Sequence, residues 1–309
     1  MLKCKNQHIG DSWYYIENDI CHCYFLTCQD SIERHTAWNI AHVTSKDLKH
    51  WEYQGIVLEK GSKDSWDGET LATGSVVKFK EKYWMAYTGN WNSEETAIGM
   101  AVSEDLYSWN KISDRPVLNL PASDFASNGR GLRKFRHWRD AKMYVKDDNV
   151  YALICTTSKE SAEDACGAVA VMKTKDMYTW ETVGELPVER IAQEYECPQV
   201  YKIHGKYYLI FSCFKDLFSE QMQKQYGDRL RQTSYYMVAD SAEGPYRFER
   251  DFELIPRSTD PAADLQYANQ IVKMNSEYYI MGTVWSDNGD YIADPLKVRV
   301  CDRQLITNF

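Results

Sequence analysis

The sequence has 309 residues, of which 44% are hydrophobic and 26% charged, so it can form a large core and is not predominantly disordered. Its formal net charge of −9 would repel phosphate groups, which argues against nucleic-acid and membrane-surface binders. The 22 tyrosines and 10 tryptophans, against 8 prolines, favour strands over helices.

The first residues and the cysteines indicate in which cellular compartment the protein is expected. No apolar run approaches the length of a membrane span, and residues 1–8 lack the apolar core of a signal peptide. The nine cysteines are odd in number and contain no C-x-x-C pair, and the seven histidines lack metal-ligand spacing. We therefore expect free thiols in a cytoplasmic protein, with no membrane partner, no metal and no other cofactor.

A degenerate repeat of about 55 to 70 residues runs along the chain. Its first element is a β-rich run centred on aromatic residues, and the five copies are residues 21–26, 82–87, 150–154, 206–211 and 277–281. Its second element is a Ser or Thr, an Asp two residues later and then an aromatic residue, a pattern typical of turns. The copies of this second element are residues 45–51, 103–109 and 174–180, with a looser one at 241–248.

Each repeat predicts about four short strands, the number in a propeller blade. We therefore predict an all-β fold, one five-bladed β-propeller of four-stranded antiparallel blades that forms a single domain over residues 1–309. A sandwich with tandem hairpins is the alternative.

Residues 214–232 interrupt the fourth repeat. Phe214, Leu217, Phe218 and Met222 lie at helical spacing among charged residues, which predicts a short amphipathic helix. This segment either packs on the surface of the propeller, or acts as a lid or as a contact through which the protein forms a homo-oligomer.

The innermost strand of each blade is expected just before each aromatic run. Three of these five strand starts carry a carboxylate, at Asp11, Asp140 and Glu196. Equivalent repeat positions would bring the three together at the mouth of the central funnel, where crowding and burial keep one carboxyl protonated. A protonated carboxyl beside an ionised one is what glycosidic cleavage requires, with Glu196 as proton donor and Asp11 as nucleophile.

Taken singly, each carboxylate also has a structural interpretation. Asp11 follows a glycine and suits a turn, Asp140 could pair with Arg139, and Glu196 could cap an edge.

These residues give the chain a resemblance to glycoside hydrolase family 32, the invertase and fructanase group. Arg139-Asp140 is similar to the family's Arg-Asp-Pro motif and Glu196-Cys197-Pro198 to its Glu-Cys motif, with support from residues 41–51 and 73–77. The resemblance implies a five-bladed propeller that hydrolyses β-fructofuranosyl linkages with retention and without a cofactor. It implies that Asp11 is the nucleophile, Glu196 the general acid/base and Asp140 a stabiliser of the transition state.

The chain also departs from the family pattern. Gly10-Asp11-Ser12-Trp13 replaces the usual Asn-Asp-Pro-Asn-Gly, and Ala141 replaces the proline of Arg-Asp-Pro. The sequence ends soon after the fifth blade, without the family's C-terminal β-sandwich. Another furanoside is therefore an open alternative to fructose. So are an inverting arabinofuranosidase or xylosidase resembling family 43, and a catalytically silent carbohydrate-binding propeller.

Candidate substrate contacts fall in the same region, for a small carbohydrate. Tryptophans in predicted loops on the funnel side can act as sugar platforms, and the strand starts add polar and aromatic contacts. The candidates are Trp13, Trp66, Ser75, Trp91, Arg139, Cys197 and Tyr267. His8 and His42 are weaker candidates, since core and surface roles are more common for histidine.

The connection before the third repeat is basic. It contains Arg130, Arg133, Lys134 and Arg136 and should cross the face that carries the carboxylates. These side chains could bind the phosphate of a phosphorylated disaccharide, or they could be solvated and ion-paired.

Overall fold

The computed structural model describes residues 1–308. Five antiparallel sheets form the blades of a β-propeller, as predicted. The strands of the first blade are β1 (Gln7–Glu17), β2 (Ile20–Gln29), β3 (Asn39–Ser45) and β4 (Glu52–Leu58). Those of the second are β5 (Leu71–Phe79), β6 (Lys82–Gly89), β7 (Ala97–Ser103) and β8 (Asn110–Lys111). Those of the third are β9 (Trp138–Lys146), β10 (Asn149–Thr157), β11 (Gly167–Thr174) and β12 (Glu181–Glu185).

The strands of the fourth blade are β13 (Glu196–Ile203), β14 (Lys206–Cys213), β15 (Thr233–Ala239) and β16 (Arg247–Glu253). The fifth blade consists of β17 (Tyr267–Met274), β18 (Glu277–Val284), β19 (Tyr291–Ile292), β20 (Leu296–Cys301) and β21 (Gln304–Asn308). In the fifth blade the short strand β19 pairs with β18 beside the main four-stranded path. Phe309, the last residue of the predicted single domain, lies outside the described residues.

The repeat predicted the strands because each of its elements has a fixed place in the blade. The aromatic runs are the second strands, and the segments before them are the innermost strands. The Ser/Thr-x-Asp element is a turn between the third and fourth strands. In the second blade, for example, Ser103 Oγ accepts a hydrogen bond from the Leu106 amide at 2.9 Å, and Asp105 Oδ1 accepts one from the Ser108 amide at 2.7 Å.

The hydrophobic core is divided among the gaps between blades. One buried cluster fills each gap, so that every blade is covered by its two neighbours. Contacts between consecutive innermost strands, including β17 with β1, close the ring. The closure is reinforced where Thr283 Oγ1 donates to the Gly10 carbonyl at 2.7 Å and Trp285 Nε1 donates to the Ile9 carbonyl at 3.1 Å.

The insertion in the fourth blade contains a short helix, but of the four apolar residues whose spacing predicted it only Met222 lies within the helix. Helix α1 (Glu220–Tyr226) lies between 3₁₀ turns at Lys215–Leu217 and Gly227–Arg229, and Ser219 caps its start by accepting from the Met222 amide. Leu217, Phe218 and Met222 are buried against the fourth blade. Two further 3₁₀ turns are Glu163–Ala165 and Ala263–Leu265.

Two further features concern the cysteines and the helices. Each of the nine cysteines is a free thiol in the structure. Within residues 1–308, no helix combines the length and apolar character needed to span a bilayer.

Candidate active site

A cavity of about 280 Å³ opens at one end of the propeller axis. Residues at the starts of the innermost strands line its floor, namely Asp11, Thr73, Arg139, Asp140, Glu196 and Tyr267. Loop residues form its walls, among them His35, Trp38, Trp91, Arg133, Phe214 and Trp285. The three predicted carboxylates therefore share one cavity.

A β-bulge at the start of each innermost strand places these side chains. In all five blades two residues of the innermost strand lie opposite one residue of the second strand. Glu196 is the residue before its bulge, Asp140 is the first bulge residue and Asp11 is the second. The three carboxylates thus occupy three successive positions relative to the bulge, whereas the repeat led us to expect equivalent positions. The difference arises because a bulge changes the direction in which nearby side chains point.

Asp11, from the first blade, is half-buried and contacts the second and fourth blades. Its Oδ2 accepts a hydrogen bond from Thr73 Oγ1, and the Cys197 thiol lies 3.8 Å from the same oxygen. Burial raises the pKa of Asp11 to about 6, and the negative charge of Glu196 adds to this, against the hydrogen bond from Thr73.

Asp140 is held in a left-handed backbone conformation with φ of 63°. Its Oδ2 accepts from the Cys197 amide at 3.0 Å and lies 3.6 Å from Arg139 Nε. The pKa of Asp140 is raised to about 7, mainly by burial and also by the charges of Glu196 and Asp11, whereas Arg139 opposes the rise. The bulge brings Arg139 and Asp140 to the same cavity although they are adjacent in one strand.

Glu196 lies between two guanidinium groups. Its Oε1 accepts from Arg133 Nη1 at 2.6 Å and from Arg139 Nη2 at 2.8 Å, and its Oε2 accepts from the Tyr267 hydroxyl. Burial acts to raise the pKa of Glu196, but the two guanidinium groups outweigh it and hold the pKa well below its usual range. The surroundings therefore favour ionised Glu196 without substrate, whereas the sequence led us to expect a protonated one.

Three of the predicted substrate contacts line the cavity, namely Trp91, Arg139 and Tyr267. Cys197 is buried just beneath it, where its amide and thiol contact two carboxylates. Phe214, from the insertion, reaches the cavity wall, with its ring 4.4 Å from the Arg133 guanidinium carbon.

Three other predicted contacts lie outside the cavity, and for Trp13 and Ser75 complete burial contradicts the prediction. Trp13 is fully buried in the cluster between the first two blades, where it stacks on Tyr24. Trp66 packs on Tyr87 with ring centroids 5.9 Å apart. Ser75 is buried between the second and third blades, where its hydroxyl donates to the Ala141 carbonyl at 2.7 Å. None of the three lines the cavity.

The histidine candidates have structural roles. His8 Nδ1 lies 2.9 Å from Asp290 Oδ2, and His42 is buried in a stack on Tyr24 with centroids 4.5 Å apart. Neither lines the cavity. Within residues 1–308 no group of three or more histidine, cysteine or carboxylate side chains is arranged to hold a metal ion.

The basic connection is mostly paired within the protein. Arg130 contacts Glu163 at 3.2 Å and the Ser161 carbonyl at 2.7 Å, and Arg133 is committed to carboxylates in the cavity. The ion-paired interpretation is therefore confirmed for these two arginines. Lys134 is exposed, next to the cavity-lining Arg133.

The sequence reasoning missed a fourth carboxylate beside the cavity. Glu194 is 1% exposed, and its Oε2 accepts from Arg133 Nη1 at 3.0 Å and from Arg139 Nη2. Burial raises the pKa of Glu194 above its usual range. The one signal in the sequence was the position of Glu194, two residues before Glu196 and just ahead of β13.

A five-bladed propeller with acidic side chains gathered at one end of its axis has the architecture and the chemical groups of a glycoside hydrolase. The model of the glycosyl hydrolases family 32 N-terminal domain matches residues 12–301, so the chain belongs to this family. The match begins one residue after Asp11, whose assignment therefore rests on its place in the cavity and on the motif resemblance.

Relatives and solved structures agree with this membership. A sucrose-6-phosphate hydrolase of Pediococcus pentosaceus is 29% identical over 178 residues, which are 55% of this chain and 32% of that protein. The chain thus matches about a third of the length of this curated relative. The sucrose-6-phosphate hydrolase structure from Lactobacillus gasseri has a TM-score of 0.76 at 17% identity, covering 97% of this chain and 60% of that one.

The propeller alone does not separate families. A thermostable family-43 glycoside hydrolase gives a TM-score of 0.70 at 18% identity and covers 98% of this chain and 93% of its own. At such identities the likeness shows the fold only. The family match over residues 12–301 therefore decides against the family-43 alternative.

Proposed function

We propose that the protein hydrolyses a terminal β-fructofuranosyl linkage of a small oligosaccharide by a retaining double displacement, with the whole chain as one catalytic domain. The observation that carries the proposal is the meeting of Asp11, Asp140 and Glu196 in one cavity at the start of three innermost strands. Membership of family 32 supports the fructosyl substrate.

Each of the three carboxyl groups has its own role in the reaction. Asp11 attacks the anomeric carbon while Glu196 gives a proton to the leaving oxygen, and Glu196 then takes a proton from the water that releases fructose. Asp140 accepts hydrogen bonds from sugar hydroxyls, which strengthen as positive charge develops on the sugar ring. Trp91 and Trp285 offer aromatic faces at the walls of the cavity.

A phosphorylated disaccharide is a second candidate substrate. The relative from Pediococcus pentosaceus is named a sucrose-6-phosphate hydrolase. In this chain Lys134 is an exposed cation beside the cavity wall, where it could meet a phosphate on the sugar that leaves. Free thiols and a small phosphorylated substrate both suit the cytoplasm.

A homo-oligomer formed through residues 214–232 stays a prediction. The apolar side chains of this segment are used within the fourth blade, so a contact with a second copy would have to use the polar face of α1.

Hydrolysis assays test the proposal. Sucrose, sucrose 6-phosphate, short fructans and the nitrophenyl arabinofuranoside and xyloside are incubated with the wild type and with Asp11→Asn. We expect turnover of fructosides alone, lost in the variant, and Lys134→Ala should weaken only the reaction of the phosphorylated sugar. Saturable fructoside binding without turnover would instead indicate the silent carbohydrate-binding propeller.

A further inference from the structure

Glu194 and Glu196 share the same two arginines. Arg133 Nη1 lies 3.0 Å from Glu194 Oε2 and 2.6 Å from Glu196 Oε1, and Arg139 Nη2 contacts the same two oxygens. The carboxyl groups are also within hydrogen-bond reach of each other. Asp11 and Asp140 add two more carboxyls to this buried group, so four acids face two guanidinium groups. At least one proton is therefore needed to limit the uncompensated charge.

The contacts around Glu194 favour this side chain over Glu196 as the carrier of that proton. Glu194 Oε1 is buried and has no hydrogen-bond partner within residues 1–308, whereas both oxygens of Glu196 accept hydrogen bonds. Oε1 faces His137 Nδ1 at 3.5 Å. His137 Nε2 donates to the Arg133 carbonyl at 3.3 Å and His137 Nδ1 accepts from Arg139 Nη1 at 2.8 Å, so the ring is neutral and cannot supply a proton to Oε1.

We propose that Glu194 carries a proton in the resting protein and passes it to Glu196 for the cleavage step. Glu194 acts through Glu196 and does not touch the substrate, so it is a positioning residue. The inference rests on the proposed function, because it assumes that Glu196 is the acid/base.

The protein neither gains nor loses a proton over one turnover. Glu194 loses its proton as Glu196 gains it, and Glu196 gives it to the leaving oxygen as that bond breaks and Asp11 bonds to the anomeric carbon. Water then attacks the anomeric carbon, the bond to Asp11 breaks, and the released proton returns through Glu196 to Glu194. The net reaction is hydrolysis alone.

Other groups around Glu194 could also affect its titration. Charged neighbours are Arg133, Arg139 and Glu196, and the titratable neighbours that face it are His137, Cys155, Cys166 and Cys213. Burial raises the pKa of each of these three thiols and lowers that of the histidine, so all four remain neutral between pH 5 and 8.

Glu194→Gln tests the inference through the pH profile. When the Glu194 carboxyl group is removed, both guanidinium groups stabilise the ionised form of Glu196 alone. The pKa of Glu196 therefore falls, and Glu196 loses its proton at lower pH. The basic limb of kcat/KM on sucrose should therefore move down by about one pH unit or more, with about a tenfold loss at pH 7. A nitrophenyl fructofuranoside, whose leaving group needs little protonation, should lose less than about threefold.

Glu253→Gln is the matched control, since Glu253 also binds arginines but lies outside the cavity. It should leave the pH profile unchanged. A Glu194→Gln protein that folds normally and keeps the wild-type basic limb would overturn the inference.

A second measurement needs neither turnover nor a stable variant. Wild-type protein labelled with ¹³C at the glutamate carboxyl is titrated by NMR, and the signal assigned to Glu194 should remain that of a protonated carboxyl above pH 6. The absence of such a signal overturns the inference. If the signal is present but no fructoside is hydrolysed, the proton site stands and the proposed function fails.

Discussion

Arg139 Nη2 donates a 2.8 Å hydrogen bond to Glu196 Oε1, joining the third blade to the fourth within the cavity. Arg139 is 3% exposed, so this contact operates in a medium where charge is weakly screened. The same guanidinium contacts Asp140 and Glu194, which makes it the common counter-ion of three carboxyl groups. Stability and reactivity in this cavity are therefore coupled through one side chain.

Replacing Arg139 by methionine should destabilise the protein in a pH-dependent way. The loss should be about 3–5 kcal/mol in the free energy of unfolding at pH 7, because Asp140 loses its counter-ion and the two glutamates lose one of their two. It should be smaller at pH 5, where those groups can be protonated. Urea titrations at both pH values measure it, and a loss independent of pH would contradict the assigned ion pairs.

Glu196→Gln should remove most turnover while the fold is retained. Glutamine still accepts from the arginines but cannot transfer a proton, so we expect kcat on sucrose to fall by about 10²- to 10⁴-fold. Circular dichroism melting checks that the propeller is intact. Wild-type turnover in a folded variant would remove Glu196 from the acid/base role.

Asp140 and Asp11 should make the fold less stable as the pH rises. Their pKa values in the folded protein are raised to about 7 and about 6, above those of the unfolded chain. The folded state thus binds protons more tightly, and this stabilisation is complete below about pH 4 and is lost as the pH rises to about 7. Asp140→Asn should then be more stable than the wild type at pH 8, by about 1–4 kcal/mol.

Asp176→Asn is a control of opposite sign. Hydrogen bonds from the Thr179 and Tyr178 amides lower the pKa of Asp176 to about 2, so its carboxylate stabilises the turn at neutral pH. This variant should be less stable at pH 8 and keep the wild-type slope between pH 4 and 7. Urea unfolding at several pH values measures both variants, and equal slopes for the wild type and Asp140→Asn would contradict the raised pKa.

Two tryptophans should respond differently to alanine. Trp91 lines the cavity, so Trp91→Ala should raise KM and change the melting temperature little. Trp13 is fully buried between blades, so Trp13→Ala should cost about 3–5 kcal/mol of stability. Kinetics and thermal melts separate the two, and a raised KM without destabilisation for Trp13→Ala would reverse our correction.

The sequence was enough to locate the strands of all five blades. The aromatic runs at residues 82–87 and 206–211 coincide with β6 and β14, because a strand covered on both faces needs a continuous apolar run. The places of Asp11, Asp140 and Glu196 at the starts of innermost strands then predicted that they share one cavity, and they line the same cavity in the structure.

Backbone geometry and packing explain what was missed. The bulges of the third and fourth blades contain left-handed conformations at Asp140 and Cys197, with φ of 63° and 51°, and cysteine is not a residue type that favours this conformation. Trp13 and Trp91 both seemed to lie in loops, and only the closure of the first blade on the second shows that Trp13 is core. Glu194 was missed because it precedes β13, outside the repeated segment that was compared between blades.

The most direct test of the central claim is the configuration of the product formed when methanol intercepts the reaction. Sucrose is incubated with the protein in aqueous methanol, and the methyl fructofuranoside, which does not mutarotate, is identified by NMR. We predict the β-anomer, formed through a fructosyl bond to Asp11 and absent with Asp11→Asn. The α-anomer, or the β-anomer in equal yield from the variant, would contradict the assignment of Asp11 as the nucleophile.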